Sequence, residues 1–353
     1  MKVSLRKLLS TGLVVISLAA VLIIAFANEE LENAWEALGS LDPKWVLGIF
    51  GCWFAYMFFD AFGGWVYLRR EGFRLALHRA VTACLIGFYY SNITPSSAGG
   101  QPMQVNSLRK AGVPVAYGTM IATVRFACNQ FAVTAMSLVF WLLNRDFVRH
   151  QLGDAIWFAR VGWIINFAGV PLCLMAVCQR NLIQKIALGV IHLGKRLHLV
   201  KNEEEAIVST TNVLDTYHAA LRALSQRPGQ ILIQLLCSCG SMLGLMSSIY
   251  FVYRAFGFSG TPWYQLLTIS FLLFVSASYT PLPGASGAQE GGFLLYYQGI
   301  IPGDRIGLSL LVWRFFTYYL FLIVGAVVLV WERVLLAIEE RRKRNQETKE
   351  EGK

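Results

Sequence analysis

With 353 residues, of which 56% are hydrophobic and only 15% charged, the chain is too apolar for an ordinary soluble domain, where about a quarter of residues carry charge. The formal net charge of +10 would suit a nucleic acid, but the bases fall in short stretches between long apolar runs, which points to a membrane surface and excludes that partner. The seven cysteines lie in apolar stretches and the five histidines are scattered, so neither a metal site nor a cofactor is expected.

A membrane-crossing helix needs about 20 mainly apolar residues. The first candidate is 8–27, preceded by Lys2, Arg6 and Lys7. Its apolar run exceeds the roughly 7–15 residues of a secretory signal core, although Ala25-Phe26-Ala27 fits a cleavage pattern and removal of 1–27 stays open. Residues 28–44 hold five acids and one base, Lys44, and are expected outside. The second span, 45–68, is followed by Arg69, Arg70, Arg74 and Arg79 against Glu71, a cytoplasmic signature.

The apolar run 76–94 ends in NITPSSAGGQPMQ, which is rich in proline and glycine and carries no charge; the next charges are the basic pair Arg109-Lys110. If 76–94 crossed fully, that pair would lie outside and every later loop would change sides. The segment 76–112 is therefore expected to enter from the cytoplasm and return there. Spans follow at 114–143 and 155–178, then an amphipathic cytoplasmic insert over 180–227, suited either to an anionic leaflet or to packing beneath the bundle. After a span at 229–256, the segment 263–300 is expected to enter and return on the outer side. A last span at 306–331 precedes a charged cytoplasmic tail, 336–353, with RRKR at 341–344. The expected fold is an all-α polytopic membrane domain over 1–335, with about six transmembrane helices and two oppositely oriented re-entrant hairpins.

The hairpins resemble each other. SNITPSSAGGQP (91–102) and SYTPLPGASGAQE (278–290) share a serine, Thr-Pro, small residues and a glutamine, which matches Gln101 to Gln289 once two residues are inserted. Each is followed by a span with one buried arginine beside phenylalanine, Arg125 in TVRFACNQF and Arg314 in LVWRFFTYY. Inverted repeats whose broken helices meet near the midplane are a recurring transporter plan. Pro95, Gly99, Gly100, Pro281, Pro283, Gly284 and Gly287 are expected to shape the two turns, with Gly99-Gly100 letting the first one reverse.

Four charged residues fall well inside these segments, away from their ends: Asp60, Arg125, Glu290 and Arg314. A charge at the centre of a membrane helix costs at least about 2.5–3.5 kcal/mol, so each must pair or face a wet cavity. One reading is a structural set of ion pairs. The other has Arg125 and Arg314 binding a phosphate or carboxylate, for which a guanidinium fork is well suited. Asn92, Thr94, Gln101, Thr280, Gln289 and Glu290 would then complete the substrate site. Asp60 and Glu290 are candidates for ion pairing or proton coupling, and Gly63-Gly64 beside Asp60 for close helix packing. No GxxxxGK[ST], GxSxG or HExxH motif is present.

NITPSSAGGQPMQ and PLPGASGAQE resemble the two hallmark segments of the flippase-like transmembrane domain of lysylphosphatidylglycerol synthases, a family with many stand-alone members. Pro281, Pro283, Gly284, Gly287 and Glu290 fill its P-x-P-G-x-x-G-x-x-E pattern, and the resemblance spans about residues 5–335. It implies a multi-pass protein of the bacterial inner membrane, and the charge pattern puts both termini in the cytoplasm. Its partner would be a phospholipid with an anionic head group, phosphatidylglycerol or an aminoacylated derivative, moved between leaflets. The soluble domain that transfers lysine in full-length members is not seen in this sequence, so lysine transfer by this chain alone is not expected. A role in lysylphosphatidylglycerol synthesis and secondary transport of a small anion remain the alternatives, and a homo-oligomer is compatible with the sequence.

Overall fold

The computed structural model describes residues 36, 38–179, 203–332 and short pieces of 181–189. The expected span 8–27, most of the acidic outer segment, much of the 180–227 insert and the tail lie outside the described residues. The described chain is α-helical, with one isolated bridge, between Gln298 and Ile301, and no named strand.

Helix α1 (Pro43–Arg70) starts on a proline, with the Asp42 carboxylate accepting from the Lys44 N–H at 3.0 Å, and ends on Arg69 and Arg70. The first hairpin comprises α2 (Leu77–Ile93) and α3 (Gly100–Lys110). Then come α4 (Val115–Leu143), the short α5 (Arg145–Leu152), α6 (Ile156–Cys178) and α7 (Glu203–Ser225). Helix α8 (Pro228–Ala255) precedes the second hairpin, α9 (Trp263–Ala277) and α10 (Ala288–Tyr297), and α11 runs over Gly303–Glu332. Helices α1, α4, α8 and α11 are long and apolar enough to cross a membrane and match the expected spans to within a few residues. Helix α6 matches the expected span 155–178 and carries one charge, Arg160. Phe54, Leu143, Ile164, Val327 and Trp331 all point outward more than half exposed, an apolar belt that only lipid would cover. The chain is a multi-pass membrane protein.

Contacts at the helix ends fix the direction of each element. Helices α1 and α8 are antiparallel, because Asp42 N donates to Ala255 O at one end while Arg227 pairs with Glu71 at the other. The first hairpin is rooted at the second of these ends. There Trp65 donates to Leu75 O, and Lys110, at the close of α3, pairs with Glu332 at 3.0 Å. The second hairpin is rooted at the opposite end, where Thr261 N donates to the Tyr253 hydroxyl and Gln151 of α5 donates to Gln298 O at 2.7 Å. Their tips meet in the middle: Ser96 N donates to Pro281 O at 3.0 Å, and the Tyr318 hydroxyl of α11 donates to Asn92 O at 3.0 Å. Two hairpins therefore penetrate from opposite ends and touch, as the charge pattern and the paired motifs required.

Some local features differ from expectation. Gly99 has an ordinary helical backbone (φ −78°), and the left-handed residues of the first turn are Ser96 and Ser97, at φ 51° and 56°. The glycines serve close packing instead: a Cβ at Gly100 would meet Ser91 and lie 2.8 Å from Gly87 O, separating α2 from α3. Helix α5, eight residues long, falls below what periodicity can resolve, yet it buries Val148 and Leu152 and places Gln151 to brace the second hairpin. Helix α7 packs on α4 and buries Tyr217, Ala220 and Leu224. Gly63 and Gly64 do sit at close approaches, to Gln234 of α8 and Ile121 of α4.

The closest approach to backbone is at Gly162, where a Cβ would overlap the Val275 carbonyl of α9. Because backbone is the obstacle, no side chain can move aside. Gly162→Val is expected to lower stability by about 1–3 kcal/mol through overpacking, read as an earlier thermal transition in detergent.

Candidate functional site

Where the hairpin tips meet, both helical ladders are interrupted. Thr94 ends α2 and serves its own turn, since its hydroxyl donates to Tyr90 O at 2.6 Å and accepts from Gly99 N at 2.9 Å. In the second turn Gly284 has φ +61°, and a Cβ there would overlap the Tyr318 ring. Gly287, at φ +87°, donates its N–H to Glu290 Oε2 at 2.6 Å and so starts α10. Both return helices thus begin between the two ends of the bundle, with N-terminal N–H groups and dipole ends that favour an anion.

Beside the tips lies a cavity of about 890 Å³, walled by the two turns and by α2, α4, α8, α9 and α11. That is the upper part of the range for small-molecule sites. Of the residues expected to bind substrate, Asn92, Gln101, Arg125, Thr280, Gln289 and Arg314 line it. Thr94 and Glu290 do not, being turned to hold the hairpins. Among the turn-forming residues Gly100, Pro281 and Gly284 reach the lining, whereas Pro95, Gly99, Pro283 and Gly287 shape the backbone behind it.

Asp60, Arg125, Glu290 and Arg314 are all paired. Arg125 forms an ion pair with Asp60 of α1 and donates from Nη2 to Gln104 Oε1 at 2.8 Å. Asn129, one turn further along α4, donates to the other Asp60 oxygen at 3.1 Å, and the Phe88 ring lies 5.8 Å from the guanidinium. Arg314 donates from Nε to Glu290 Oε1 at 2.8 Å and from Nη2 to Gly284 O at 3.1 Å, with the Tyr318 ring 5.0 Å away. Asp60 and Glu290 are 1% and 4% exposed. The pairing reading therefore describes the charges themselves, and each arginine also borders the cavity. Immediately after Arg314, α11 widens into a π turn over Phe315–Tyr319, a feature frequent at functional sites.

The sequence reading missed Gln104, Asn129, Gln130 and Asn166. Gln130 donates to Asn166 Oδ1 at 2.6 Å, and Asn166 donates to Ser278 Oγ at 3.0 Å, which ties α4 through α6 to the second turn. A signal for Gln104 was available: Gln104 and Glu290 each lie nine residues after the proline of their Thr-Pro step. Aligned without an insertion, they occupy one position, and each contacts the arginine of its own half. Asp60 and Met246 likewise precede those prolines by 35 residues, so one half carries its acid on the spanning helix and the other on the hairpin.

Residues 9–325 match the family described as the lysylphosphatidylglycerol synthase TM region. The chain belongs to that family. Among similar proteins is a UPF0104 membrane protein of Archaeoglobus fulgidus, 23% identical over 311 residues, which span 87% of this chain and 92% of that protein. A UPF0104 membrane protein of Methanothermobacter thermautotrophicus is 24% identical over 298 residues, spanning 82% and 84%. Both hairpins, both arginines and the cavity between them fall within the matched region.

Proposed function

We propose that this protein moves an anionic phospholipid, phosphatidylglycerol or an aminoacylated relative, between the leaflets of the cytoplasmic membrane. The observation that carries this reading is the cavity at the hairpin tips. It combines two arginines with hydrogen-bonding side chains, and three of its lining residues, Phe126, Tyr279 and Leu282, are themselves 40–44% exposed on the apolar outer surface. A head group could occupy the polar wall while acyl chains leave past these residues into the bilayer. A small carboxylate would have no use for such an apolar side opening. In this reading the end bearing Arg69, Arg70, Arg109 and Lys110 faces the cytoplasm, as the positive-inside rule favours.

The test is translocation of fluorescent phosphatidylglycerol in proteoliposomes. Removing Arg125 alone would strand buried Asp60, so the informative variant is the neutral pair Arg125→Gln with Asp60→Asn, which keeps hydrogen-bonding capacity. Transport is expected to fall at least about tenfold, equivalent to one lost charge-assisted interaction of about 1.4 kcal/mol, with the fold retained. A full wild-type rate would remove Arg125 from substrate binding.

A further inference from the structure

We infer that the cavity selects a phosphodiester lipid whose head group is uncharged and hydroxylated, and rejects an aminoacylated one; this rests on the translocase reading above. The argument begins with the charges that face the cavity. Among the described residues its lining includes Arg125 and Arg314 but no aspartate or glutamate. The nearby acids sit behind the arginines with their oxygens engaged. Asp60 holds Arg125 with one oxygen and Asn129 with the other, while Glu290 holds Arg314 with Oε1 and the Gly287 N–H with Oε2. Neither carboxylate reaches the cavity wall, and both are almost fully buried, so a substrate ammonium in the cavity meets the arginines before the acids that hold them.

A lysyl ester brings two ammonium groups. In this cavity they would face guanidinium groups in a medium of low dielectric, where like charges repel far more than in water. They would also find no acid to pair with, and a buried charge left unpaired is strongly disfavoured. A phosphodiester meets the opposite situation, since both lining charges are positive and both return helices present their N-termini inward. The rest of the polar wall is neutral. Asn92, Ser97, Gln101, Thr280 and Gln289 offer amides and hydroxyls, which can both donate to and accept from glycerol or sugar hydroxyls. A polar group built to pair with a hydroxyl discriminates strongly against a head group that leaves it unpaired.

The experiment compares fluorescent phosphatidylglycerol, lysylphosphatidylglycerol and phosphatidylcholine in proteoliposomes of the full chain, alongside thermal stabilisation of the detergent-solubilised protein by short-chain forms of each lipid. Phosphatidylglycerol is expected to move at least about tenfold faster than the lysyl lipid and to be the strongest stabiliser, tenfold corresponding to about 1.4 kcal/mol. Gln289→Glu and, independently, Gln101→Glu place an acid on the lining; either should narrow that ratio by accelerating the lysyl lipid. Equal or faster movement of the lysyl lipid by the wild-type protein overturns the inference and leaves the translocase reading standing. Movement of no lipid overturns the translocase reading, and the stabilisation series then decides the head-group preference by itself.

Discussion

Arg314→Leu is expected to be the most damaging single substitution in the described chain. Its guanidinium ties α11 to both ends of the second turn, through Glu290 at the start of α10 and through the Gly284 carbonyl. Both partners of the ion pair are almost fully buried, at 3% and 4% exposure. Deleting the arginine leaves a carboxylate in an apolar interior and a carbonyl without its donor, a combination that costs about 3–5 kcal/mol in comparable buried pairs. Replacing both partners, as in Arg314→Leu with Glu290→Gln, removes the stranded charge, while the introduced amide oxygen can still accept from the Gly287 N–H. The double variant should recover most of the lost stability and none of the transport. Thermal unfolding in detergent separates the cases: a double variant no more stable than Arg314→Leu would show that the arginine acts through packing alone.

The same pair shows what the sequence could and could not reveal. That Asp60, Arg125, Glu290 and Arg314 lie in apolar segments is plain from composition, as is the need to neutralise them. Which acid meets which base depends on helix crossing and rotation, and residues 60 and 125 are brought together only because α1 and α4 pack across the first hairpin. The hairpins themselves were legible for an electrostatic reason. Arg109 and Lys110 are basic, so a chain obeying the positive-inside rule had to turn back before reaching them. Their meeting was suggested by the repeated Thr-Pro steps, but the contact from Ser96 to Pro281 is a matter of depth, which hydropathy does not encode. Gln104 and Asn129 escaped notice because uncharged amides in an apolar helix look like tolerated polar residues until a buried charge is found beside them. The π turn after Arg314 has no compositional signature in FFTYY, and helix α5 is too short to show a period.

Locking the hairpin tips together should abolish transport without unfolding the protein. Few polar contacts hold the tips: Ser96 N donates to Pro281 O between the two turns, and the Tyr318 hydroxyl of α11 donates to Asn92 O beside them, both at 3.0 Å. Each turn is also internally braced, by Thr94 in one and Glu290 in the other, so the hairpins can part as units without unravelling. If the contact is the barrier between leaflets, a head group held beside Arg125 and Arg314 can pass only when the tips separate, as in other proteins whose paired repeats alternate around a fixed site. A cysteine pair at Ser96 and Pro281 places two thiols on residues whose backbones already touch, within the usual reach of a disulfide. Oxidation should then stop translocation of fluorescent phosphatidylglycerol, and a reductant should restore it, while thermal stability stays at or above that of the reduced form. Ser96→Cys alone and Pro281→Cys alone should each be insensitive to oxidant. Undiminished transport by the fully cross-linked protein would show that lipid passes beside the tips, and the path would then have to run along the exposed side of the cavity at Phe126 and Leu282.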